Sequence, residues 1–141
     1  MQKKQEYLRF LQELPHYRSL RTGGKDYFLT HSGFSVDIAE PVIGQDGRID
    51  IQASVQRFVE MDEWAYLISD DLHFLPASVK FDRYIICGHY PTLEYREEGG
   101  VYVTPVFTDI DCGCAWKQPS PHRKMACLCL DTGEVCYQRI R

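Results

Sequence analysis

Two short stretches carry the residues best suited to chemistry. Tyr27-Phe28-Leu29-Thr30 runs into His31-Ser32-Gly33, and Tyr84-Ile85-Ile86-Cys87 runs into Gly88-His89-Tyr90-Pro91. In each, an apolar run with the pattern of a buried strand stops at a glycine-containing turn that presents a histidine. A side chain at the carboxyl end of a buried strand is held rigidly yet opens onto a crevice, where mixed sheets place their ligands. Neutral imidazole is a good ligand for a divalent cation when its second nitrogen is oriented by an acceptor. The matched placement of His31 and His89 therefore points to a shared metal, and the alternative is that each caps its own loop. His16 and His122 follow prolines, and His73 lies in an acidic segment; these three read as structural or surface residues.

The six cysteines are read as reduced thiols, because no secretory signal precedes them. Cys112 with Cys114 and Cys127 with Cys129 form two C-x-C pairs, which a hairpin could gather into a structural zinc site. The competing reading is plain strand alternation, since zinc knuckles normally space their cysteines by two to four residues.

Around these residues the periodicity lays out the scaffold. Tyr7, Leu8, Phe10, Leu11 and Leu14 recur at helical spacing within Gln5 to Leu14, a helix that Pro15 ends and whose apolar stripe calls for a surface to lie on. Tyr17 to Arg21 and Asp26 to Thr30 flank Thr22-Gly23-Gly24-Lys25, a hairpin signature. Residues 34–50 read as a loop. A helix is expected from Ile51, with Val55, Phe58, Val59 and Met61 on its apolar side, followed by a helical or short strand segment from Trp64 to Phe74. Tyr84 to Cys87 is a strand, Val101 to Phe107 and Thr108 to Cys112 supply one or two more, and Lys124 to Leu130 with Val135 to Ile140 form a terminal hairpin around Asp131-Thr132-Gly133-Glu134. Helices and strands are thus mixed, an α/β or α+β class, with residues 1–141 expected to form one domain.

The bulk numbers exclude several partners. A formal net charge of −4 with interspersed signs offers no basic stripe for nucleic acid. No apolar run approaches the roughly 20 residues of a membrane span, and MQKKQEYLRF enters a charged helical pattern directly, so no membrane association and a cytoplasmic location are expected.

In this order the motifs resemble the calcineurin-like metallophosphoesterases, and among them the bacterial serine/threonine phosphatases of the phosphoprotein phosphatase type. "YLRFLQELP" resembles the helix that precedes a hairpin in that family, "YFLTHSGF" its strand ending in His-Ala-Gly, and "IICGHYPT" its Gly-His-Thr-Pro. "TDIDCGCAW" and "KMACLCLDTGEVCYQ" resemble its closing Ile-Asp-Thr-Gly strand and final hairpin. The resemblance implies a mixed sheet with flanking helices, the carboxyl half of an αββα sandwich, and a dinuclear site at its edge. It assigns His31 and His89 to the second metal of the pair, with manganese as the first choice of cation and iron or zinc as others. It also places Trp116 near an aromatic position that lines the substrate cleft. The substrate it implies is a phosphoprotein or a small phosphoester, dinucleoside tetraphosphates included.

The chain departs from the family in what it lacks. The opening Asp-x-His, and the Gly-Asp-x-x-Asp and Gly-Asn-His motifs that follow it, which supply most metal ligands and the leaving-group acid, do not precede the first strand, and there is no asparagine anywhere. In "EWAYLISDDLHF" the place of the family's phosphate-binding arginine falls on Ser69, followed by Asp70 and Asp71. The chain therefore resembles the carboxyl half of a phosphatase and carries no complete catalytic set. The expectation is an inactive chain when alone; the alternative is a non-enzymatic binding module, including a homo-oligomer formed through an exposed sheet edge.

Overall fold

The Gly23-Gly24 pair does what its position demands. Both glycines take positive φ (55° and 75°), which lets a two-residue turn join strand β1 (Tyr17–Thr22) to strand β2 (Lys25–Thr30) with the twist that hairpins require. In the computed structural model, which describes residues 2–69 and 71–140, the fold is α+β: a mixed five-stranded sheet, a two-stranded sheet and two α-helices.

From β2 the chain passes through the irregular stretch 31–50 into helix α2 (Ile51–Leu67), then returns as strand β3 (Tyr84–Cys87) parallel to β2. Asp50 caps α2 by accepting the Ala53 amide at 3.0 Å, and Asp82 accepts that of Ile51 at 3.0 Å, so two otherwise orphaned amides of the first turn are satisfied. The helix breaks at Asp62 (φ −157°, ψ 93°), whose carboxylate restarts it by accepting the Ala65 amide at 2.9 Å. That kink turns Tyr66 inward. The segment expected from Trp64 to Phe74 is consequently the end of α2 followed by a 3-10 turn, Asp71–Phe74, rather than a strand.

Strand β3 is central. The sheet order is β1, β2, β3, then β5 (Phe107–Asp109) and the short edge strand β4 (Tyr102–Val103), with β3 parallel to β5. One face of the sheet, through Phe28, Ile85, Cys87 and Phe107, joins Phe34, Val55, Phe58 and Tyr66 in the core. The other face, through Tyr27, Tyr84, Ile86 and Thr108, lines an apolar groove with Leu128, Leu130 and Val135 of the region around β6 (Lys124–Leu128) and β7 (Val135–Arg139), which pair antiparallel. Covered on both faces, β3 has to be apolar throughout, which is why Tyr84 to Cys87 reads as an unbroken run.

One expectation needs correcting, and one alternative falls away. Helix α1 (Gln2–Gln12) forms, but its stripe lies on nothing among the described residues: Tyr7, Phe10 and Leu11 remain 68%, 59% and 59% exposed. Helical periodicity records that a face is meant to be covered, not what covers it. The four C-x-C thiols do not gather either. Cys112 is buried while Cys114, Cys127 and Cys129 are exposed, and all six cysteines are free. Cys127 sits on the outward face of β6 opposite Cys136, as strand alternation dictates, so the zinc arrangement is replaced by the simpler reading. Among the described residues no helix is long and apolar enough to cross a membrane.

Candidate functional site

Because β2 and β3 run parallel in the register Phe28 to Ile85 and Leu29 to Ile86, their carboxyl ends emerge side by side. The ladder continues one step beyond the strands: the Gly88 amide donates to the His31 carbonyl at 3.0 Å. His31 and His89, 58 positions apart in the chain, thereby meet with ring centroids 5.1 Å apart and Nδ1 of His89 3.2 Å from Nε2 of His31.

Each histidine is braced from behind. Thr30 and Ser32, on either side of His31, both bind Tyr66: the Thr30 hydroxyl pairs with the Tyr66 hydroxyl, and the Ser32 hydroxyl donates to the Tyr66 carbonyl. Tyr66 also donates to the His16 carbonyl at 3.1 Å and is fully buried. His89 sits at φ 73°, the one positive value among the described non-glycine residues, between Gly88 and Tyr90.

The pair opens onto a cleft of about 420 Å³ lined chiefly by apolar side chains such as Leu29, Ile86 and Met125, with Asp111 and Lys124 as charged members. Asp111 donates its amide to Asp109 at 2.7 Å and accepts that of Gly113 at 2.9 Å, which fixes its carboxylate beside the histidines. Burial, and then repulsion from His89, hold the His31 pKa below its ordinary 6.5, while Asp111 opposes the shift. The neutral, ligating form of His31 is therefore present at and above pH 6.5 and is lost only as the pH falls through its lowered folded value. An NMR titration of the histidine ring protons is expected to place His31 below 6.5; a midpoint at or above 6.5 would contradict this packing.

The donor set fits a divalent cation in part. Two nitrogens about 2.1 Å from one cation and roughly at right angles about it are separated by about 3.0 Å, close to the observed spacing. Among the described residues, however, no group of three or more His, Cys, Asp or Glu is arranged to hold a metal. The structure brings together the two histidines and no third ligand among the described residues.

Trp116 does not line the cleft, although its neighbours Cys114 and Ala115 do. Its backbone is tied down instead, the amide to the Gly113 carbonyl at 3.1 Å and the carbonyl to Arg123 at 2.9 Å. Ser69 is buried with no hydrogen-bond partner for its hydroxyl among the described residues, and Asp70 lies outside them.

Of the three histidines read as structural or surface, His73 is structural: its side chain is 7% exposed and its Nε2 lies 3.0 Å from Oδ2 of Asp109, which is 0% exposed. Tyr95 donates to the same oxygen at 2.6 Å. The available signal was Asp109 itself, an acid within the apolar run Val106 to Ile110, because a buried carboxylate needs donors around it.

No protein-family model matches the chain, and no curated protein is significantly similar to it.

Proposed function

We propose that this chain carries the histidine half of a dinuclear metal site of the metallophosphoesterase type, in the manner of a bacterial serine/threonine phosphatase, with His31 and His89 as ligands to one cation. The single observation that supports it most is the pair of imidazole nitrogens 3.2 Å apart at the ends of adjacent parallel strands. Manganese suits a site completed by carboxylates, and iron or zinc suit the imidazoles equally. Held in part by His31 and His89, such cations would supply an activated water and stabilise charge on the oxygens of a phosphoester. This chain's own contribution is to orient the two rings, to hold His31 in its neutral form and to line the cleft. With two imidazoles and no bridging carboxylate, the isolated chain holds metal weakly and does not hydrolyse phosphoesters. Its substrate, once the ligand set is complete, is a phosphoprotein or a small phosphoester such as a dinucleoside tetraphosphate, and its six free thiols suit the reducing cytoplasm.

The test is p-nitrophenyl phosphate hydrolysis with added manganese. No turnover above background is expected from the chain alone; brisk turnover that vanishes in His89→Ala would overturn the inactivity while supporting the metal role. Turnover unaffected by His89→Ala would overturn both.

A second reading, a dimerising module, is favoured by the exposed stripe of α1. An antiparallel second copy would set Lys3 and Lys4 at the start of one α1 near Glu13 just beyond the end of the other, matching opposite charges around Tyr7, Phe10 and Leu11. A dimer by sedimentation that Leu11→Lys reduces to monomer supports this reading, and a monomeric parent chain rejects it.

A further inference from the structure

His89 occupies an unusual backbone position. The Tyr90 amide donates to the Gly88 carbonyl at 2.9 Å, closing a three-residue γ-turn around His89, and φ at the centre is +73°. The positive-φ form of this turn is rare and strained for a residue with a side chain, so neighbouring structure has to over-determine it. Gly88 is held by its bond to the His31 carbonyl, and the other side of the turn is held by the ring of Tyr90.

Tyr90 packs against three rings. It stacks on Tyr95 with centroids 5.8 Å apart and planes within 7°, packs on His73 at 5.3 Å and meets Phe74 edge-on at 6.1 Å. Tyr95 and His73 share one anchor, the Asp109 carboxylate: Oδ2 accepts from Tyr95 at 2.6 Å and lies 3.0 Å from His73. The second oxygen, Oδ1, accepts the Asp111 amide at 2.7 Å and so reaches the floor of the cleft. A fully buried acid is thus bonded to residues of two other segments and to its own, which meet behind one strained turn.

We infer that Asp109 is a positioning residue, which clamps Tyr90 through Tyr95 and His73 and thereby keeps the His89 imidazole against His31. The inference deepens the reading of these histidines as a ligand pair and rests on it for its consequence, though the clamp itself is a statement about metal-free protein.

The experiment uses the full chain with isotope-labelled histidine and compares Tyr90→Phe, Tyr90→Ala and Asp109→Ala. Two quantities are read: the through-space NMR contact between the His31 and His89 ring protons without metal, and zinc affinity by isothermal titration. Tyr90→Phe keeps the ring and is expected to match the parent. Tyr90→Ala and Asp109→Ala lose the ring contact, and zinc affinity falls by roughly tenfold or more, the scale of lost ligand orientation. Val55→Ala, a core truncation remote from the turn, lowers stability but leaves the ring contact in place. Should Asp109→Ala fail to fold, Tyr90→Ala decides, because Tyr90 is only half-buried. The clamp is overturned if Tyr90→Ala folds and retains the ring contact. A parent chain that shows the contact but binds no zinc would reject the metal reading and leave the clamp standing.

Discussion

Replacing either His31 or His89 by alanine is expected to reduce zinc affinity by more than about 100-fold, beyond the 10–100-fold that follows loss of a residue which merely orients a ligand. The two nitrogens 3.2 Å apart are what distinguish this spot from any exposed histidine, and one ring alone offers a cation a single weak ligand. Cys112→Ser should leave zinc binding intact, since Cys112 is buried apart from the three exposed cysteines of the two C-x-C pairs. Isothermal titration decides the matter: stoichiometric zinc that survives both histidine substitutions and disappears in Cys112→Ser would sink the assignment. His89→Gly separates ligation from folding. Glycine adopts φ near +73° without the side-chain penalty, so this variant should gain about 1 kcal/mol of stability while losing the site. Stability and function then move in opposite directions, as expected where strain is held at a site.

The largest effect on folding is expected at Tyr66. Truncation to alanine empties a fully buried aromatic site next to Phe58, whose ring lies 5.8 Å from it, and should cost about 3–5 kcal/mol. Tyr66→Phe keeps the packing but strands the Thr30 hydroxyl and the His16 carbonyl, at about 1–3 kcal/mol. The same hydroxyl gives the protein an alkaline limit. Burial, as the main cause, pushes the Tyr66 pKa from 10 up to about 12, so the folded state keeps a proton that the unfolded chain has released. The contribution is complete below pH 10 and is lost as pH rises from 10 to 12, amounting to roughly 2–3 kcal/mol over that window. Urea unfolding at pH 9 and pH 12 should show this loss in the parent chain and not in Tyr66→Phe. An unchanged difference between the two proteins would mean the hydroxyl is not desolvated as its burial implies.

Much of the scaffold was legible because its signals are local. The Gly-Gly turn fixed the first hairpin, an apolar run bounded by glycine fixed β3, and Asp131 to Glu134 marked the last turn. Both candidate ligands were legible for the same reason, since each sits immediately after a strand that periodicity identifies. The buried acid network was not. Asp109, His73 and Tyr95 are separated by up to 36 positions, and each looks polar and therefore external until the strand and two short turns that carry them are assembled. The cysteines were left with two readings: C-x-C spacing is shared by metal sites and by alternating strands, and burial, which local spacing does not encode, favours the strand.

By itself the sequence determined where strands end and which residue types stand there, because periodicity and turn chemistry act over a few neighbouring residues. Only the tertiary structure decided that β2 and β3 lie side by side in parallel, that α1 presents its apolar stripe uncovered, and that a buried carboxylate stands behind the histidine turn. Parallel neighbours are joined by long crossovers, and their register is set by burying both faces of the central strand at once. That condition involves the whole sheet and α2 together, and no window of the sequence contains it.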